Sequence, residues 1–417
     1  MPIFPYFLRL GRCSKGNALM IMALALPILL GAAGMAVDMI QWASWKRELQ
    51  RSADSAALAG AMSLARSQDV QRAVARDILL TNDQILSSSP VVETPPTQGS
   101  HTANPRSVRV ELTVRQPLPF SAMFLTNAPI VRATAVATGA DDGQYCVVAL
   151  ENTTALSVEM QGSSSVALGC GLATNALGAN AVQFNGTASS ILATPVAAVG
   201  GLLPAPNYAS GTALRPFSLP QRDPFAAVPN PVVPSGCNGQ LNVGSNATAS
   251  ISPGCWRGWR IQGTLNLSPG TYIIDGGSVS FGAQARVSGT GVTIVLTSSS
   301  ASTNPNSVAT IDVNAGAQVS LTAPSSGTYT GLIIYQDRRA ADLITNRVGG
   351  NASSFYQGAI YFPRQRLEFS GTSGMSTNCL QMVARRLSFS GNSSISNVCP
   401  ANSGSAALRG TIVRLVE

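Results

Sequence analysis

Hydrophobic positions run unbroken from Ala18 to Val37, and a mixed pattern follows in which charged residues and alanines alternate at helical spacing. The first run holds twenty uncharged residues, and a helix of that length reaches about 30 Å, the thickness of a bilayer's hydrocarbon core. Arg9, Arg12 and Lys15 precede it with no acid among them, and Asp38 closes it. A cleavable secretory signal has a shorter apolar core and a small-residue cleavage site, whereas helix-forming sequence continues here. The pattern predicts a retained transmembrane helix over 18–37, with residues 1–17 in the cytoplasm. Basic residues alone do not orient it, because Lys46, Arg47 and Arg51 on the far side match the three in front. The orientation rests on two other features: the leading charges abut the span, and six of the seven cysteines lie beyond it, where an oxidising compartment would pair them.

Residues 38–140 read as a helical stalk and a small α+β region. Neither Gly nor Pro occurs between Met35 and Gly60, and Leu49, Ala53, Ala57 and Ala61 fall on one stripe of the continuing helix. Two readings of that stripe stand: it packs lengthwise on a partner helix, giving a homo- or hetero-oligomer, or it packs on the chain's own domain. A second helix is expected over Asp69–Leu80, with Ser67 as its cap. A polar loop from Ser87 to Pro105 carries His101, and two strands follow, one with Val108, Val110, Leu112 and Val114 alternating and one over Ile130–Thr138.

From Gln144 the period changes. FSGTSGMSTNC (Phe369–Cys379) returns twenty residues later as FSGNSSISNVC (Phe389–Cys399), and MQGSSSVALGC (Met160–Cys170) keeps the same Gly and Cys landmarks. Weaker copies begin at Phe184, Ile261, Phe281 and Val313. Each unit is a short strand and a Gly/Asn/Ser corner, repeated, and such a unit cannot bury its strand faces without stacked neighbours. The expected fold is a mainly β body over 144–417 after the transmembrane helix and α+β region, a parallel, right-handed β-helix or solenoid crossed by a Pro-rich segment at 197–234. Arg409–Glu417 is expected as a last strand that covers the solenoid's open end.

Equivalent positions on stacked coils lie about 4.8 Å apart, within disulfide reach. Of the fifteen pairings six cysteines allow, the sequential one fits that spacing: Cys146 with Cys170, Cys237 with Cys255, Cys379 with Cys399. Cys13 stands apart on the cytoplasmic side as a reduced thiol.

Composition then narrows the chemistry. With 39 Gly, 25 Pro and 11% charged residues in 417, the chain is too long for one ordinary domain and too apolar for disorder. Its net charge of +8 comes from scattered arginines without aromatic interleaving, so no nucleic-acid partner is expected. Asp275, Asp312, Asp337 and Asp342, with Arg338 and Arg339, are the candidates for acid, base or sugar-clamping roles in a polysaccharide enzyme, which needs two carboxylates facing one bond. The single His101 reads as a surface residue. No Cys-x-x-Cys pair, His cluster, phosphate loop or nucleophile elbow occurs, and no catalytic residue, metal or cofactor is assigned.

Gly16-Asn17, the apolar run with Pro27, Asp38, and LQRSADSAALAGA from Leu49 to Ala61 together resemble the amino-terminal segment of TadE/TadG-like proteins, which serve tight-adherence (Flp-type) type IV pili. Further on, Leu267–Leu296, GLIIYQDRRAAD and GAIYF look like the carboxy-terminal region of TadG-type relatives. Two departures are visible: prepilin-like members carry Glu at the fifth residue after the Gly cleavage point, where Ile21 stands here, and no Asp-x-Ser-x-Ser adhesion motif occurs. The resemblance implies a non-enzymatic structural or assembly component of an Flp pilus. It would sit in a bacterial inner membrane with its main domain in the periplasm, and its partners would be the membrane and other pilus assembly proteins. The alternatives are a surface adhesive or carbohydrate-binding β-helix and a polysaccharide-degrading enzyme.

Overall fold

The computed structural model describes residues 17–82, 84, 86–342, 344–372, 376–377, 379–395, 398–400, 403–405 and 408–417. Arg9, Arg12, Cys13 and Lys15 lie outside them. The chain divides into two compact units, 1–140 with 413–417, and 141–412.

In the first unit α1 runs from Asn17 to Ala65 as one helix of 49 residues. Its two halves differ in what they meet. From Met20 to Ile40 its large apolar side chains are exposed, whereas Leu49, Ala53, Ala56, Ala57 and Ala61 are fully or almost fully buried. The stripe packs against Val70, Val74 and Ile78 of α2 (Val70–Thr81) and against Val108, Val110 and Leu112 of the sheet. Alanine there admits close approach of the chain's own elements, which leaves this stripe no free face for a partner helix. Replacing Ala57 and Ala61 together with Leu is therefore expected to destabilise the unit by overpacking, about 1–3 kcal/mol per site. The loss should appear as faster amide exchange in α2, and exchange at the wild-type rate would mean that the stripe faces outward.

The cap of α2 differs from expectation. Asp69, not Ser67, accepts from the Arg72 N–H (3.1 Å), because Ser67 is spent in the left-handed turn that ends α1. The segment expected as a loop holds a short strand, β1 (Val91–Glu93), whose two valines extend the sheet. It pairs antiparallel with β2 (Ser107–Arg115), which pairs with β3 (Ile130–Ala149) from Ser107↔Thr138 to Arg115↔Ile130. The chain's last residues return to this unit: Val416 N–H donates to the Val136 carbonyl, and Val136 N–H to that of Glu417 (2.9 and 2.8 Å). The strand of Leu408–Leu415 thus serves both units: Leu408 packs with the second unit's Tyr145 and Val148, and Gly410 lies against the Tyr145 ring. Its Val413 packs on the first unit's core, which offers an apolar partner as well as a free strand edge.

The second unit is mainly β, with parallel strands joined in one sheet. Most strands there pair with the strand three places further along, which makes three columns. In one, Ile261 is beside Phe281, Phe281 beside Val313, and the next pairings are Asp312↔Arg347 and Val348↔Phe369. The sequence repeats lie along this column. Phe369 pairs with Phe389, Phe389 with Met160, and Met160 with Phe184, so an apolar ladder follows the repeat landmarks. Alternation decides which residues enter the core: Trp259 and Ile261 are buried with Arg260 exposed between them, and Ile311 and Val313 flank an exposed Asp312. Gly391 turns a corner at φ +71°, where a Cβ would sit 2.0 Å from the Gly371 carbonyl of the neighbouring strand.

The order of the columns is not the order of the sequence. The strand Cys379–Ile395 stacks in parallel on the first strands of the unit, with Met382↔Val147, Leu387↔Val158 and Asn392↔Ser165. The chain begins mid-stack and runs out through Val196–Ala198 and Leu214–Arg215. It then crosses to Leu241 and winds back until its last long strand meets its first. Disulfides join Cys146 to Cys170, Cys237 to Cys255 and Cys379 to Cys399, with Cα separations of 5.8, 4.7 and 4.6 Å that suit neighbouring parallel strands.

Candidate functional site

The site begins with the outer half of α1. Its Met20–Ile40 surface is uncharged up to Asp38, and the helix is long and apolar enough to cross a membrane. In water that surface would remain unsatisfied, because among the described residues its large apolar side chains stay exposed. Asp38 ends it and is 4% exposed. Its carboxylate accepts from the backbone N–H of Phe120 (2.9 Å) and of Ser121 (2.5 Å) and from the Ser121 hydroxyl. One turn earlier the Phe120 ring lies over Gly34, where any Cβ would come within 2.3 Å of it. One turn later Ile40, Ala43, Ser44, Arg47, Glu48, Arg51 and Thr81 line an open groove of about 660 Å³. Glu48 is held there by Gln84 Nε2 (2.9 Å).

Residues 16–63, which take in most of this helix, match the family model described as putative Flp pilus-assembly TadE/G-like. The match covers both the apolar half and the packed LQRSADSAALAGA half, so the TadE/G-like segment is a single helix with two environments. No curated protein matches the chain. A solved structure, the competence-associated pilin ComZ from Thermus thermophilus, is similar at 10% identity. The match covers 81% of this chain and 90% of that one at a TM-score of 0.21, too low to assign a fold.

The acidic candidates are each held by different partners. Asp275 accepts from Ser299 N–H (2.7 Å), and Asp312 faces Arg347 in the open (3.9 Å). Asp342 pairs with Arg385 (2.6 Å). Asp337 is fully buried; burial pushes its carboxyl up, but hydrogen bonds from Arg339 and the Thr297 hydroxyl (2.7 Å) outweigh that and hold it below the usual carboxylate range. An aspartate locked this way organises a turn and is not poised to exchange protons. His101 lies beside the Ser100 hydroxyl (3.2 Å). Among the described residues no cluster of His, Cys, Asp and Glu could hold a metal.

Arg338 and Arg339 fasten the Pro-rich crossing. Arg338 lies over the Tyr361 ring (5.4 Å), donates from Nε to the Tyr361 oxygen (2.8 Å), and donates from its other nitrogens to the Val228 (2.5 Å) and Phe225 carbonyls. Tyr361 in turn donates to Asp223 (2.7 Å), and Arg339 reaches the Pro231 carbonyl (3.2 Å). Burial, then the hydrogen bond to Asp223, push the Tyr361 hydroxyl above its ordinary value, so it stays a donor. The basic pair reads in sequence as a sugar clamp, but the structure uses it to hold backbone carbonyls, which proline-rich chain cannot satisfy through a ladder of its own. Phe225 and Val228 pack beside Tyr335 and Tyr361 beneath. Four of the aromatic rings that could stack on sugars, Trp259, Tyr272, Tyr335 and Tyr361, are instead fully buried, while Phe217 in the crossing is exposed.

Sequence reasoning missed two features. Glu151 joins Arg385 and Arg386 (3.0 and 2.8 Å), and Glu159 joins Arg366 (3.0 Å). These pairs tie the first strands of the body to its last, and their separations in sequence gave no signal.

Proposed function

We propose that the chain is a structural or assembly component of an Flp-type (Tad) pilus. Helix 18–37 would span the inner membrane with the amino terminus in the cytoplasm. The β body would fold in the periplasm as a parallel, right-handed β-helix whose coils are the three columns of strands. One observation carries this reading: the TadE/G-like match coincides with a helix whose first half is bare and apolar and whose second half is the core of a folded unit. That is the form of an anchor fused to a load-bearing collar. Three disulfides fit an oxidising compartment, and the ion pairs around the acidic candidates favour a structural over an enzymatic role.

The test is a deletion strain of a bacterium that carries this chain. Loss of pili is expected, with rescue by the full chain and no rescue when Ala18–Val37 is replaced by a cleavable secretory signal. A reporter active only in the periplasm should work when joined after Glu417. Normal piliation in the deletion strain would remove the assembly role, and an inactive reporter beside an active cytoplasmic one would reverse the topology.

A further inference from the structure

Asp38 does more than close an apolar run: it clamps a segment to the level where that run ends. Residues 116–131 carry no charge, and Met123, Phe124 and Leu125 stand exposed in succession, Met123 and Phe124 by more than 70%. These side chains stand at the end of a short 3₁₀ turn, Ser121–Met123, whose preceding residue Phe120 and first residue Ser121 both donate their backbone N–H to the buried Asp38 carboxylate. The Phe120 ring against Gly34 fixes the same segment to α1 from the other side of Asp38. Two ties one turn apart leave the segment little freedom to slide along the helix axis.

We propose that Met123, Phe124 and Leu125 enter the lipid of the same bilayer, at the boundary between hydrocarbon and headgroups on the body's side, as a second membrane contact beside the span. The inference rests on the anchoring reading given above. Its occupant follows from placement. The uncharged run of α1 is as long as the hydrocarbon core is thick, about 30 Å, so its end at Asp38 marks the boundary. The apolar surface of α1 does not stop there: Ile40 is exposed and Trp42 half exposed, and tryptophan favours the interface. A patch of three apolar side chains on an uncharged segment at that level meets lipid without burying any charge. Within the unit the Phe124 ring leans on the Phe120 ring (centroids 5.3 Å), yet among the described residues nothing covers the patch, and all three side chains stay more than half exposed. The contact would hold the collar close to the membrane and limit rotation of the span, which a single helix leaves free.

The experiment uses the full chain in phosphatidylethanolamine/phosphatidylglycerol vesicles, in a Cys13→Ser background, with an environment-sensitive fluorophore on one introduced thiol. Three sites are compared: Met123→Cys, Leu29→Cys within the span, and the exposed Gln98→Cys. Quenching by spin-labelled lipid at Leu29 and at Met123 is expected, strongest at Met123 for a label near the headgroup, with iodide quenching at Met123 several-fold weaker than at Gln98. Lipid quenching at Leu29 together with iodide quenching at Met123 equal to that at Gln98 would overturn the loop contact and leave the anchor standing. Absence of lipid quenching at Leu29 would take down the anchor and the loop contact with it.

Discussion

Replacing Phe389 with Ala is expected to cost the β body about 3–5 kcal/mol, the transfer loss of a buried ring plus the cavity it leaves. Phe389 is fully buried, between Phe369 on one side and Met160 on the other. Its neighbours come from opposite ends of the unit's sequence, so the cavity should loosen both. Hydrogen exchange on the full chain in mild detergent should speed up in Val158–Gln161 and in Phe355–Gly371 together. Faster exchange in Phe355–Gly371 alone would show that the last strands do not stack on the first.

Glu151→Gln should produce a loss of similar size at the same junction, about 3–5 kcal/mol, because it leaves arginines gathered around a missing charge. Glu151 is fully buried, and it accepts from Arg385, Arg386 and the Thr153 N–H and hydroxyl (3.1 and 2.8 Å). Burial raises the carboxyl, but those hydrogen bonds and the Arg385 charge win and bring it down to about 2, from an ordinary 4.5. A carboxyl lowered by folding stabilises the folded state fully above its unfolded value. That contribution is lost as pH falls from about 4.5 through about 2. The difference in unfolding midpoint between wild type and Glu151→Gln should therefore be constant at neutral pH and shrink across that window. A difference that stays the same down to pH 2 would remove the ion-pair explanation.

What could be read in the sequence was local or periodic. Twenty uncharged residues dictate an apolar helix wherever they lie, and Leu49, Ala53, Ala57 and Ala61 dictate a packing stripe, because helical spacing alone puts them on one face. The repeat starting at Phe369 and Phe389 dictates neighbouring strands in register, since equal side chains at equal intervals bury best when stacked. Cysteines at the same intervals meet for the same reason. None of this states what lies beyond the next neighbour.

The tertiary structure decided those longer choices. Alanines on a stripe admit any close partner; α2 and β2 take the place because the chain returns them there. Met160 resembles Phe389 in the repeat, yet only the fold makes them adjacent and so joins the last strands to the first. The chain's last residues found an edge beside β3, since an unpaired edge and an apolar contact for Val413 were both present in the first unit. Asp38 reads in sequence as the polar end of a span, and its partners Phe120 and Ser121 stand more than eighty residues away. Periodicity fixes which faces are apolar and which positions are equivalent, but a hydrogen bond or ion pair between remote residues depends on where folding brings the backbone, and no local spacing encodes that.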